Sequence, residues 1–94
     1  MENIFEKVVQ IVSEHTGASY DLIKSDRHEE YVNYRIILIC ALSKLGFSDT
    51  AISRELGITR QGVHWLKSKM DIRLKHNRIL ASIWQEISKS LASD

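Results

Sequence analysis

The chain has 94 residues, 44% apolar and 27% charged, with no proline, four glycines and a formal net charge of +1. That length suits one domain with a single core and excludes a large cleft between domains. So few turn formers argue against a β-sandwich or barrel, and no apolar run nears the roughly 20 residues of a membrane span. The opening MENIFEKVVQIV lacks the basic start and small-residue cleavage site of a signal peptide.

In chain order, Ile4, Phe5, Val8, Val9 and Val12 form a helical stripe over about 2–15, which Thr16 and Gly17 end. Ser19 caps a short turn through Asp21, Leu22 and Ile23. A longer helix is expected over 28–45. Its late part, IILICAL, is apolar on every side and belongs at the centre of the domain. Cys40 lies in that run. As the only cysteine it cannot form an internal disulfide, so a buried structural thiol in a reducing, cytoplasmic compartment is expected. Gly46 stops the helix, Ser48 caps the next to Leu56, and Thr59 caps another over about 60–74. The last runs over about 78–91, with Ile79, Leu80, Ile83, Trp84, Ile87 and Leu91 in one stripe. The expectation is a single all-α domain over 1–94, a compact bundle of about six helices.

Residues 48–70 carry the most specific pattern. Gly57 takes a left-handed turn, Ile58 plugs the corner, Ser53 is small where two helices meet, and Val63 and Leu66 seat the second helix on the first. This is the pattern of a helix-turn-helix. Advancing about 100° per residue from Val63 leaves Gln61, His64, Trp65 and Ser68 facing away from the core, with Arg60 in the first turn. A helix so equipped fits the DNA major groove, where arginine pairs with guanine and glutamine with adenine. Gly62 lowers helix propensity there, and close approach to DNA and close approach of a second helix both account for it.

The charge distribution agrees with a polyanionic partner. Residues 1–30 hold seven acids against three bases, whereas residues 31–78 hold nine bases against three acids. A solvated helix surface would look the same.

Over residues 4–74 the chain resembles the C-terminal DNA-binding domain (domain IV) of the bacterial replication initiator DnaA, which is similar in fold to the Trp repressor. IFEKVVQIVSEHTGASYDLIKSDR resembles that domain's opening helix and the segment after it, YRIILICAL its central helix, and FSDTAISRELG the helix before its turn. The resemblance implies an all-α fold and binding to double-stranded DNA. It sets Arg27 in a loop that enters the minor groove and Arg35 near the phosphate backbone. Arg54, Thr59, Arg60, Gln61, His64, Trp65 and Lys67 complete the expected DNA-binding set. Two segments depart from the family. The basic loop reads SDRHEEY, and the base-reading run is replaced by GITRQGV. No Gly-rich Lys-Ser/Thr phosphate loop is present, so the initiator's ATPase is not expected, and the domain is read as free-standing.

Other chemistries find little support. The four histidines have no paired spacing and only one cysteine accompanies them, so no metal site is expected. Glu29 and Glu30 are adjacent and diverge on a helix, as solvated charges do. Trp84 belongs to a core stripe, whereas Trp65 is either a DNA-facing ring or a cover for the core edge. No cofactor, small-molecule substrate or membrane is expected. Two functions therefore stand: a duplex-DNA binder, and a helical protein-interaction module whose acidic first helix packs on another chain. A continuous surface of Arg27, Arg35, Arg54, Arg60 and Lys67 would favour the first. A carboxylate in its midst would favour the second.

Overall fold

The computed structural model describes residues 3–92, and its elements are seven helices. They are α1 (Ile4–Thr16), α2 (Tyr20–Ser25), α3 (Glu29–Lys44), α4 (Asp49–Leu56), α5 (Arg60–Ser68), α6 (Met70–His76) and α7 (Arg78–Ala92). Among the described residues there is no strand, and no helix is long and apolar enough to cross a membrane.

Local chemistry sets most of the boundaries. Asn3, Ser19, Ser48 and Thr59 each accept a hydrogen bond from a backbone N–H in the first turn that follows. Each such cap contributes about 1 kcal/mol. Gly17 and Gly57 take the left-handed conformation, φ 72° and 69°, that closes α1 and α4. The first helix thus starts at Ile4 behind its Asn3 cap; Glu2, where it was expected to begin, lies outside the described residues.

The central helix organises the rest. Ile36, Ile37, Leu38, Ile39, Ala41 and Leu42 of α3 are fully buried, and α3 packs against all six other helices. A helix apolar on every side has no solvent face to offer, so its neighbours must surround it. Val8 and Val12 of α1, Ile23 of α2, Ile52 of α4, Val63 of α5 and Ile87 of α7 join it in the core. Phe5 meets Tyr20 edge-on at 6.1 Å and lies tilted against Phe47 at 6.4 Å, and all three pack against the core. The radius of gyration is 12.1 Å, against about 12 Å for a fully compacted chain of this length.

Two expectations are corrected. The helix expected over 60–74 breaks at Lys69, whose N–H donates back to the Leu66 carbonyl at 3.1 Å in a tightened turn. The chain then redirects into α6, burying Met70 and carrying Arg73 to Asn33, the buried polar side chain of α3. The Arg73 guanidinium donates to the Asn33 amide oxygen at 2.6 Å. The second correction concerns α7. Leu80, Ile87 and Leu91 of its stripe are buried, but Ile79, about 100° around the helix from Leu80, is 76% exposed.

Candidate functional site

The connection 57–59 sets α5 in place. Gly57 and Ile58 donate their N–H groups to the Ser53 carbonyl, ending α4, and the Thr59 hydroxyl accepts from the Gly62 N–H at 2.9 Å, starting α5. The close neighbour of Gly62 is that cap. A Cβ at Gly62 would lie 3.1 Å from the Thr59 oxygen, so glycine leaves the capping hydroxyl uncrowded. Thr59, expected at the site, is thereby engaged as the cap.

Val63 is the only buried residue of α5, and Leu66 is partly buried beside it. With the apolar stripe so narrow, the opposite face is left open. Arg60, Gln61, His64, Trp65 and Ser68 lie exposed along it, and they line one shallow groove together with Asp49 and Thr50 from the start of α4. Trp65 is 54% exposed, and the Lys69 ammonium lies over its ring, 4.9 Å from the centroid. The indole therefore does not cover the core.

Asp49 and Thr50 were not foreseen at this face. Asp49 stands in the first turn of α4, where a carboxylate suits the helix dipole, and it accepts from the Lys67 ammonium at 2.7 Å. Both side chains are 31% exposed. Their juxtaposition depends on how α4 packs on α5 across 18 residues of sequence, so no local pattern announces it.

The other expected residues divide. Arg54 and Arg27 are exposed, without an ion pair among the described residues, and neither lines the groove. Arg35 points into the body of the protein. Its guanidinium donates to the Ile23 carbonyl at 2.8 Å and the Asp26 carbonyl at 2.6 Å, tying the end of α2 to α3. Burial lowers its pKa from the usual range, while Asp26 nearby works in the opposite direction. Arg27, Arg35, Arg54, Arg60 and Lys67 thus do not form one uniform set of free cations.

The loop around Arg27 has its own order. Asp26 accepts from the His28 backbone N–H at 2.8 Å and lies 2.6 Å from the His28 ring nitrogen Nδ1. The backbone bond, reinforced by the ring contact, lowers the Asp26 pKa, and the same ring contact raises that of His28. Both Glu29 and Glu30 are exposed at the start of α3, as solvated charges, with Glu29 3.9 Å from Arg73.

Cys40 is half-buried, and burial pushes its thiol up to about 11, which leaves it protonated and unreactive at neutral pH. No group of three or more His, Cys, Asp or Glu side chains among the described residues is arranged to hold a metal ion. The groove offers a guanidinium, an amide that both donates and accepts, an imidazole and an aromatic face. Comparison of the chain with protein families, curated proteins and solved structures gives no match.

Proposed function

We propose that this domain binds double-stranded DNA, with α4, the 57–59 turn and α5 acting as a helix-turn-helix. The observation that carries the reading is the gathering of Arg60, Gln61, His64 and Trp65 on one open face of α5, a helix seated by little more than Val63 and Leu66. An α-helix fits the major groove, and arginine and glutamine in its first turn supply the bidentate donors and acceptors that distinguish guanine and adenine. The resemblance of residues 4–74 to the C-terminal domain of DnaA supports the same assignment, with Arg27 as the minor-groove contact. Such a domain would act in replication or transcription control in the cytoplasm. Exposed Arg54 and Arg27 would meet phosphate or the minor groove. Arg35 would position the Arg27 loop through the carbonyls it holds.

A second reading has one observation in its favour. The Asp49 carboxylate lies in the groove, where it would oppose phosphate, and a polar groove with an exposed tryptophan also suits a protein partner. Lys67 neutralises that carboxylate at 2.7 Å, which leaves the DNA reading ahead.

Random-site selection on duplex DNA, followed by a salt titration on the recovered duplex, tests the assignment. Exposed cations outside the base-reading set, Arg54 first among them, are the phosphate contacts, and each adds about −0.9 to the log–log slope of affinity against salt. A slope near zero, or no enriched duplex, would overturn the DNA reading and point to the interaction module.

A further inference from the structure

Trp65 is the one large apolar side chain in a groove otherwise lined by Arg60, Gln61, His64, Ser68, Asp49 and Thr50. It is 54% exposed, so its place there is not explained by burial in the core. The Lys69 ammonium over one ring face, 4.9 Å from the centroid, restrains the indole and leaves its remaining surface open. Resting on the DNA reading above, the question becomes what in a major groove an indole would meet. The base edges there present donors, acceptors and a single apolar group, the C5-methyl of thymine.

We propose that Trp65 is a specificity determinant that packs on a thymine C5-methyl group, so that α5 selects a T·A pair at one position of its site. The helix geometry also gives the spacing. Trp65 follows Arg60 and Gln61 by five and four residues, and at 1.5 Å per residue it lies about 6–7.5 Å farther along α5. With a base-pair rise of about 3.4 Å, the selected thymine falls about two base pairs from the base read by Arg60 or Gln61.

The test uses the full chain and the duplex recovered by random-site selection, with each thymine replaced in turn by deoxyuridine, which removes the methyl group and nothing else. One replacement is expected to weaken wild-type binding about fourfold, the value of one buried methyl-sized group. That position should lie about two base pairs from the one at which Arg60→Ala or Gln61→Ala relaxes base preference. Trp65→Gln should bind the thymine and deoxyuridine duplexes equally, with an unchanged thermal melt, and Trp65→Phe should keep part of the discrimination. If the selected duplex binds well but every deoxyuridine is silent, or Trp65→Gln retains the fourfold difference, the thymine contact is overturned and the DNA reading stands. If selection enriches no duplex, the DNA reading fails and the thymine contact fails with it.

Discussion

Helices α3 and α5 lie against each other and are built on opposite terms. The first has 16 residues, seven of them buried, and packs against every other helix; the second has nine, of which only Val63 is buried. Most side chains from Ile36 to Leu42 of α3 are buried among its neighbours, so that stretch of sequence determines stability. Those on α5 mostly face outward, so its sequence determines what the surface can touch. The contrast extends to two arginines expected at one interface: Arg35 of α3 donates to two backbone carbonyls, whereas Arg60 of α5 lines the open groove.

The largest effect should come from the centre of α3. Ile37→Ala removes a fully buried side chain and should destabilise the fold by about 2–5 kcal/mol. In thermal unfolding that lowers the midpoint by about 10 °C or more. A loss no greater than that of an exposed α5 substitution would break the comparison.

Arg35→Met comes next. It keeps much of the stem but takes charged donors from the Ile23 and Asp26 carbonyls, for about 2–3 kcal/mol of folding stability. Denaturant unfolding measures that loss. DNA affinity per folded molecule should fall no further than Arg27→Ala lowers it, since Arg35 acts on DNA only by positioning the Arg27 loop; a larger loss with unchanged stability would return Arg35 to the phosphate backbone.

Substitutions on α5 should show the reverse. Arg60→Ala and Gln61→Ala should each weaken binding to the preferred duplex by about 1–3 kcal/mol and relax preference at one or two base pairs. Their melting midpoints should stay within the range of ordinary surface changes. Equal losses on all duplexes would make them phosphate contacts.

Asp49→Asn sharpens the comparison within the groove itself. Losing a half-exposed ion pair should change stability by about 0.5 kcal/mol. With Lys67 released and the carboxylate gone, binding to every duplex should tighten. Weaker binding would assign Asp49 a direct role in recognition.

The smallest effect is at the loop before α3. His28 should titrate above its ordinary 6.5 because Asp26 stabilises the charged ring, and Asp26→Asn should bring it back down. The raised His28 pKa contributes stability fully below 6.5, lost as pH rises through the raised value. The lowered Asp26 pKa contributes fully above 3.8, lost as pH falls through the lowered value. Both contributions are complete between those two ordinary values. An NMR titration of the His28 ring protons measures the shift directly, and a midpoint at or below 6.5 would show that the pair does not form in solution.

Features with a local cause were legible in the sequence. Ser19, Ser48 and Thr59 cap because a hydroxyl reaches an N–H three residues on, and Gly57 turns because it lacks a Cβ. The all-round apolar IILICAL announced its own central position. The break at Lys69 was hidden because Leu66, Met70 and Leu74 keep helical spacing straight through it; what redirects the chain is the seat of Met70 and the bond from Arg73 to Asn33, 40 residues away. Arg35 and Lys67 look like any surface cations in sequence. Their partners are backbone carbonyls and a carboxylate supplied by other helices.

The Gly57 turn and the Thr59 cap have one more consequence. They fix where α5 begins through backbone groups and a single hydroxyl, upstream of the positions that form its open face. Positions 60, 61, 64, 65 and 68 can therefore change in chemistry while the helix keeps its place. Point mutations at those positions would alter the chemistry of the open face while remaining nearly silent in the core.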